Sequence, residues 1–368
     1  RGGERKATKL HALLPPACVG VRFMVEIASG AMRYDFTPEQ LAWREEIRAF
    51  LREHLTSELL AELRESGNEG QGPLVAPTIM RVGTEAQKQY WLPRIQRGEV
   101  EFALGYSEPE AGTDLASLRT RAVLEGDTWV INGQKMWNTM AHTATHNWLA
   151  VRTEPEAPKH KGISMMIVPM DAPGVTVQPI YVWPGLRTNA LFLDNVRVPR
   201  DYLIGERGMG FYYAAMALNF ERLSIGSVGM CRRYFRELVH FVRATTVDGK
   251  PLAARPWVRE RMARLAVDIE AARMLGLETA WALDQGRVPA AESSMAKVFV
   301  SELAQRLADT GCEILGLAGQ LHPDEPAAPL HGRMQWLYRT APLLAFGGGT
   351  NEVQRSIVAL LGYGLPRK

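Results

Sequence analysis

Cysteine is scarce in this sequence, and long apolar runs are missing from it. Three cysteines, Cys18, Cys231 and Cys312, occur in 368 residues. Their odd number and wide spacing argue against a disulfide framework or a metal site and favour a reducing compartment. No apolar run approaches the length of a membrane-spanning helix. We therefore expect a soluble, cytoplasmic protein that binds no metal and has no membrane span.

A large excess of one charge sign is also missing. The formal net charge is +3, and the basic residues do not gather into one block, which argues against nucleic-acid binding. No G-x-G-x-x-G loop follows a strand pattern and no Walker phosphate loop occurs, so we do not expect a Rossmann dinucleotide domain. A chain of 368 residues exceeds one ordinary core, and we expect two or three subdomains.

Helical spacing of apolar residues characterises the N-terminal region, residues 34–102. Thr37 with Gln40 forms a capping-box pattern at the start of one predicted helix, and Thr84 with Gln87 forms another at the start of a second. We therefore predict an N-terminal helical domain over this range.

The period of the apolar pattern changes twice further along the chain. Residues 103–205 are short β-rich stretches separated by turn signals such as Asn132-Gly133, which is typical of an antiparallel β domain. Helical spacing then returns over roughly 208–243, 252–286, 290–319 and 350–362. The sequence therefore predicts an α+β protein in which the β domain is followed by a C-terminal helix bundle over residues 206–368.

Residues 1–33 fit none of these patterns. The segment is basic and then mildly apolar, and it contains Met24 and Met32. A secretory signal would need a cleaner apolar stretch, and a transit peptide would be richer in serine. We interpret it as a disordered extension or an upstream start, with the fold beginning near Tyr34.

Four sequence blocks point to an activity. They are Leu104–Asp114 (LGYSEPEAGTD), Asn132–Thr139 (NGQKMWNT), Asn219–Leu223 (NFERL) and Gly349–Arg355 (GTNEVQR). In order and approximate spacing the chain resembles the acyl-CoA dehydrogenase family over roughly residues 34–365, which is more specific than any one motif. The resemblance implies an FAD-dependent oxidation of the α,β bond of an acyl-CoA, with electrons passed to an electron-transfer flavoprotein.

The same resemblance implies the residues that bind the cofactor. They are Leu104, Tyr106, Ser107, Gly112, Thr113, Trp137, Asn138, Thr139, Glu313, Gly316, Thr350 and Glu352. Small residues and hydroxyls in the first block suit close approach of the backbone to a ligand. Alternatives remain at two places, since the first block could be a polar turn and Trp137 could be a core residue. The family usually has Gln where Glu313 stands.

The base is the decisive residue for this chemistry, because a proton α to a thioester needs a carboxylate in a water-poor pocket. Many family members carry it at the position of Gly348, which here can supply only a backbone N–H to the thioester oxygen. A smaller branch supplies it from a bundle helix, where this chain has Glu221. The alternative is a solvated Glu221 paired with Arg222. Thr113, Asn219 and Arg222 match substrate-contacting positions.

Three departures from the family pattern bear on function. The N-terminal domain is shorter than in the family at the Gly-rich break 66–73, either through a natural deletion or because a segment of sequence is missing there, and a deletion would leave the acyl pocket partly open. Gly347, Gly348 and Gly349 replace larger side chains, which favours a branched or bulky acyl group unless they serve only a tight loop. Thr245 stands where the family has an arginine for the flavin pyrophosphate of an adjacent subunit.

The alternatives therefore include other roles for the same fold. One is an acyl-CoA oxidase-like flavoenzyme, and another is a non-catalytic or half-site subunit of a heteromeric dehydrogenase. We expect a homodimer or homotetramer, or a heterotetramer with a related subunit. The Glu221 carboxylate favours an enzyme, whereas Thr245 and the shortened domain favour the non-catalytic subunit.

Overall fold

A computed structural model describes residues 36–56, 58, 72–183 and 185–366, and at residues 72, 73 and 219–225 it describes the backbone alone. The described chain forms two compact units. The first contains residues 44–218, and the second contains residues 36–43 and 219–366. The predicted extension 1–33 and most of the break 66–73 lie outside the described residues, and the predicted domain boundaries stay predictions.

Helices α1 (Pro38–His54) and α3 (Glu85–Gln96) begin where the capping boxes predicted them. The Thr37 and Thr84 hydroxyls each accept the backbone N–H three residues on, at 3.2 Å. In return, the side-chain oxygens of Gln40 and Gln87 accept the backbone N–H of these threonines. Each box satisfies two N–H groups that a helix start would otherwise leave unpaired.

Helix α2 (Gly72–Val82) was not expected, because the sequence predicted only the helices that begin at Thr37 and Thr84 in this region. Pro77 lies inside this helix, and the composition before it reads as a break. Val75 and Ile79, four residues apart, are fully buried in the core of the first unit. Tertiary burial of this apolar stripe therefore outweighs the unfavourable local propensity.

The sheet of the first unit is mainly antiparallel, as predicted. Its strands are β1 (Phe102–Gly105), β2 (Arg121–Glu125), β3 (Thr128–Lys135), β4 (His146–Arg152), β5 (Ile163–Pro169), β6 (Val175–Tyr181), β7 (Arg187–Pro199) and β8 (Leu203–Ile204). They run in the order β6-β7-β3-β2-β4-β5-β8, and β1 pairs with β4. The β1–β4 pair and the single β2–β4 bridge are parallel.

Alternate residues of the central strands supply two separate cores. On β4, Trp148 and Ala150 join the cluster that includes helices α2 and α3, whereas Leu149 and Val151 join a cluster made by the strands themselves. Side chains alternate across a strand, so the four consecutive apolar residues Trp148–Val151 are buried on both faces of the sheet. The sheet is therefore a rigid support for the loops at its ends.

The helices that follow are α4 (Gly210–Ile225), α5 (Gly229–Ala244), α6 (Pro256–Asp284), α7 (Ala290–Leu315), α8 (Arg333–Phe346) and α9 (Asn351–Ile357). A short hairpin of β9 (Thr246–Val247) and β10 (Lys250–Pro251) separates α5 from α6. The segment predicted as one helix over 208–243 is two helices, and helix α8 had no predicted counterpart. Its interior Pro342 weakens the helical pattern in the sequence.

Residues 219–366 form the helix bundle that the period of the apolar residues predicted. Its core combines buried side chains of helices α5 to α8, among them Leu238, Leu265, Leu303 and Leu337. These residues recur at helical spacing on each element and meet in one apolar cluster. In the described part of the chain, no helix has both the length and the apolar character that a bilayer crossing requires.

Candidate active site

The first motif starts on strand β1 and continues as a tight loop. Leu104 is partly buried and Tyr106 is buried, and both pack in the core of the first unit. Their side chains therefore support the loop from the core. Glu108 and Ala111 close the loop by exchanging backbone hydrogen bonds of 3.0 and 3.1 Å.

The remaining predicted positions of this motif lie at the surface. Ser107 is half-buried, whereas Gly112 and Thr113 are exposed. A Cβ placed on Gly112 would meet no atom within 4 Å, so the space above its backbone is open. This part of the loop therefore offers a hydroxyl-bearing surface that a ligand can approach closely.

A buried ion pair lies beneath this loop. The Lys135 Nζ, fully buried at the end of β3, lies 2.8 Å from Glu108 Oε1 and 3.1 Å from the carbonyl oxygen of Tyr106. The Glu108 carboxylate also accepts the backbone N–H groups of Arg119 and Thr120, at 2.6 and 2.9 Å. The pair thus joins β3 to the first motif and to the chain that enters β2.

Burial and pairing act in opposite directions on these two groups. Burial lowers the pKa of Lys135 from the usual 10.5 to about 8, although Glu108 opposes that change. Burial raises the pKa of Glu108, but Lys135 and the hydrogen bonds from residues 119 and 120 more than offset it, so the net change is a lowered pKa. The carboxylate is therefore charged at neutral pH.

The second motif is fastened to the first by its backbone. The Met136 N–H donates to the Ser107 carbonyl at 2.9 Å, directly after Lys135. Trp137 follows with a positive φ of 63° and 53% of its side chain exposed. Thr139 is also exposed. A bulky residue with positive φ is a conformational outlier, and such outliers occur preferentially at functional sites.

Asn138 was predicted to contact the cofactor, but the structure buries it completely. Its carboxamide donates to the Met136 carbonyl at 3.2 Å and accepts from Asn147 Nδ2 at 3.1 Å. Its backbone exchanges hydrogen bonds with Asn189. The side chain of Asn138 therefore points into the domain, between the exposed Trp137 and Thr139.

In the second unit, the Gly-rich loop connects helix α8 to helix α9. Gly348 and Gly349 have φ values of 67° and 95°, a region that favours glycine, whereas Gly347 has an ordinary φ of −59°. Thr350, predicted to bind the cofactor, is the N-cap of α9, and its hydroxyl accepts from the Val353 N–H at 3.2 Å. Two of the three glycines are therefore required by the turn itself.

A second buried lysine holds this loop. Lys297 on α7 is fully buried, and its ammonium donates to the carbonyl oxygens of Ala345 and Gly349 at 3.0 and 2.9 Å and to Asn351 Oδ1 at 2.8 Å. The Gln354 amide adds a bond of 3.4 Å to the Gly349 carbonyl. The loop is thus fixed at both ends by hydrogen bonds from buried side chains.

The other predicted cofactor positions of this unit lie at helix ends. Glu313 is in the last turn of α7 and pairs with Arg261 at 3.4 Å. Gly316 ends α7 with a positive φ of 61°. Glu352 is exposed in the first turn of α9. Glu352 lies one residue from Asn351, which is a partner of Lys297.

Asn219, Glu221 and Arg222 are on helix α4, as predicted for a base carried by a helix. Their side chains lie outside the described residues, so their roles stay predictions.

Sequence reasoning missed the two buried lysines and their partners. Lys135 and Glu108 lie inside the quoted motifs, yet nothing local distinguishes them from solvated residues. Lys297 gives a weak signal, since it is flanked by the apolar run Ala296 and Val298–Val300. A charged residue within an apolar stretch of a helix indicates a buried, hydrogen-bonded group.

Family models match most of the chain. The model described as the acyl-CoA dehydrogenase middle domain matches residues 103–196, and the model described as the acyl-CoA dehydrogenase C-terminal domain matches residues 208–360. The two matches coincide with the β region and the helix bundle that carry the predicted motifs.

Individual relatives agree with these matches. Acyl-CoA dehydrogenase FadE26 of Mycobacterium tuberculosis is 42% identical over 301 residues, which are 80% of this chain and 75% of the relative. The solved structure titled Tcur3481-Tcur3483 steroid ACAD is 42% identical, with a TM-score of 0.76 over 80% of this chain and 76% of that one. The ChsE4-ChsE5 complex from Mycobacterium tuberculosis is 36% identical, with a TM-score of 0.83 over 92% of this chain and 100% of that one.

The buried ion pair leads to a stability prediction. We expect Lys135→Met to lower the free energy of unfolding by about 3–5 kcal/mol, because it leaves the Glu108 carboxylate buried without its cation. Adding Glu108→Gln should recover most of that loss. The exposed pair of Arg119 and Glu110, 2.9 Å apart in the same loop, is the control, and Glu110→Gln should cost at most about 1 kcal/mol. Equilibrium denaturation measures the free energy of unfolding of wild type, of the two single variants and of the double variant.

The pH dependence gives a second readout of the same variant. Because the folded protein binds the Lys135 proton less tightly than the unfolded chain does, this group makes wild type more stable as pH rises from about 8 to 10.5. The stability difference between wild type and Lys135→Met should therefore widen over that range. A constant difference would contradict the lowered pKa.

Proposed function

The chain belongs to the acyl-CoA dehydrogenase family, and on that premise we propose that it oxidises the α,β bond of an acyl-CoA with FAD as cofactor and Glu221 as base. The observation that supports this proposal is that two segments, Ser107–Thr113 and Trp137–Thr139, are joined by the hydrogen bond between the Met136 N–H and the Ser107 carbonyl. They present hydroxyls, open backbone and an exposed, conformationally strained Trp. Packing within the domain does not explain this Trp, because about half of the residue is exposed.

The residues fit a flavin in their chemistry. The exposed indole of Trp137 suits an aromatic ring system, and the hydroxyls of Ser107, Thr113 and Thr139 suit its polar edge. The space above Gly112 admits a ligand close to the backbone. We propose that these residues hold FAD together with the open backbone of Gly112. Leu104, Tyr106, Glu313, Gly316, Thr350 and Glu352 stay proposed cofactor positions on the ground of the family resemblance.

Each step of the reaction has a proposed group in the chain. Bound FAD supplies the acceptor for the hydride equivalent that leaves the β-carbon. Glu221 takes the proton from the α-carbon. The backbone N–H of Gly348 donates to the thioester oxygen, where negative charge develops. Lys297 fixes the carbonyl oxygen of the next residue, Gly349, at 2.9 Å, so the donor is held in place before the substrate binds.

The partners follow from the same proposal. Electrons pass to an electron-transfer flavoprotein, or to oxygen if the protein works as an oxidase. Thr113, Asn219 and Arg222 contact the acyl-CoA. An association with a related subunit is favoured by the titles of two similar structures, which name paired chains.

A second candidate, a half-site subunit, is favoured by one observation. Thr245 ends helix α5 and carries no charge for a pyrophosphate. Arg255 lies near in sequence, but its guanidinium donates to Asp248 Oδ2 at 3.1 Å within the β9–β10 hairpin. Arg243, in the last turn of α5, is exposed. Either arginine, or one from a partner chain, would have to complete the flavin site.

The cofactor prediction is tested on the purified chain. We expect FAD to bind and an acyl-CoA to bleach it under anaerobic conditions. If the half-site reading is correct, FAD binds only after a related subunit is added. Failure to bind flavin after reconstitution, with and without such a subunit, would remove the proposed function.

The base prediction concerns one side chain. We expect Glu221→Gln to keep flavin binding and to slow anaerobic flavin reduction by at least about a thousandfold, since proton removal loses its acceptor. Stopped-flow absorbance measures the rate. Glu270→Gln, which removes an exposed carboxylate on α6 that pairs with Arg273, is the control and should reduce at the wild-type rate. A near wild-type rate for Glu221→Gln would place the base elsewhere.

The substrate prediction concerns the Gly-rich loop. Gly347 has an ordinary φ, and a Cβ there would lie 3.2 Å from the Leu343 carbonyl oxygen, so a side chain at this position needs a shift of a few tenths of an ångström but no left-handed backbone. We therefore propose a branched or ring-bearing acyl group, which the similarity to the Tcur3481-Tcur3483 steroid ACAD also supports. We expect kcat/KM for such a substrate to match or exceed that of a straight chain, and Gly347→Leu to reverse the order. A wild-type preference of more than about tenfold for the straight chain would refute this.

A further inference from the structure

Residues 137–140 adopt a backbone that their side chains do not favour. Trp137 and Met140, neither of them glycine, have φ values of 63° and 68°. Left-handed conformations are disfavoured for bulky residues, because the Cβ approaches the following carbonyl. The segment must therefore be held by contacts from outside it.

Asn138, between these two positions, makes those contacts. Its amide bonds the Met136 carbonyl and Asn147, as described above. Its backbone N–H donates to the Asn189 carbonyl at 3.0 Å, and its carbonyl accepts from Asn189 Nδ2 at 2.8 Å. Asn138, Asn147 and Asn189 are all fully buried. We call these three residues the asparagine cluster.

The cluster is poorly explained by stability alone. Within the described part of the chain, Asn147 Oδ1 is buried and has no hydrogen-bond partner. A Cβ on Gly105 of the neighbouring strand β1 would lie 2.1 Å from that oxygen, so only glycine at position 105 leaves space for the Asn147 side chain. Apolar residues at these positions would avoid both costs. The hydrogen bonds that the cluster does make fix Asn138 to strands β4 and β7, and this fixed geometry is what the cluster provides.

We propose that Asn138 is a positioning residue: through Asn147 and Asn189 it holds Trp137 and Thr139 outward in the orientation in which they receive the flavin. This inference rests on the proposed function, and it assigns Asn138 an indirect role in place of the cofactor contact predicted from the sequence. The first motif takes part through Gly105, whose missing side chain admits the Asn147 amide.

The test is a double-mutant cycle on flavin affinity. The apoproteins of wild type, Asn138→Leu, Trp137→Phe with Thr139→Val, and the combined variant are titrated with FAD, and flavin fluorescence gives Kd and the quenching by Trp137. We expect Asn138→Leu to weaken FAD binding about tenfold and to lose the quenching. In the background that lacks Trp137 and Thr139, the same change should cost less than about twofold, because the residues it acts through are gone.

Two further variants keep the test decisive. Asn138→Ser introduces a smaller polar side chain, and it replaces Asn138→Leu in the flavin titration if the Leu variant does not fold. Asn132→Leu is the matched control, because Asn132 is an exposed asparagine of β3 that bonds Asn195 and should leave Kd unchanged. Amide exchange of residues 138–144 in the apoprotein should rise in both Asn138 variants and not in the control.

The outcomes separate this inference from the proposed function. If wild type binds no FAD under any condition, the proposed function fails and takes this inference with it. If wild type binds FAD but Asn138→Leu does so with unchanged Kd and quenching, only the positioning role is overturned. An equal loss in both backgrounds would also overturn it, since that result describes a general loss of structure.

Discussion

The buried ion pair between Lys135 and Glu108 is the contact on which the arrangement of the first unit depends. It ends strand β3 inside the domain, and with its hydrogen bonds to Tyr106, Arg119 and Thr120 it ties that strand to the first motif. A buried charge is tolerated only with a close partner, so neither motif can move without exposing or separating the two charges. The adjacent Met136–Ser107 bond fixes where the second motif begins.

The second unit also contains a buried lysine, Lys297, but its hydrogen-bond acceptors are neutral carbonyl and amide oxygens. Lys297 lies under the Gly-rich loop and satisfies the carbonyl oxygens that the turn leaves behind. A loop that binds a ligand has an irregular backbone, yet it must keep one fixed conformation. Buried hydrogen-bond donors on rigid helices or strands hold it in that conformation. The proposed thioester donor, Gly348, precedes the carbonyl that Lys297 holds, and the proposed flavin contacts, Trp137 and Thr139, follow Lys135 by two and four residues.

Family membership and the departures from the family bear on different questions. The two family-model matches and the relatives establish an acyl-CoA dehydrogenase. Glu221 as base, a bulky acyl group and a subunit partner are proposals that rest on Gly347–Gly349 and Thr245. None of these four residues belongs to the apolar cores of the two units, so the fold accommodates them without loss of packing.

Signals that act over a few residues could be predicted from the sequence. The capping boxes at Thr37 and Thr84, the strand period of residues 103–205 and the motif order required no knowledge of distant contacts, because both partners lie within one turn or one strand. Tertiary structure decided the rest. Helix α2 forms because its apolar stripe is buried in the core of the first unit. Lys135 pairs with Glu108, which lies 27 residues away in the sequence. The Asn138 side chain points inward because Asn147 and Asn189 form hydrogen bonds with this residue there. Burial depends on which distant segments meet, and a single sequence does not show that.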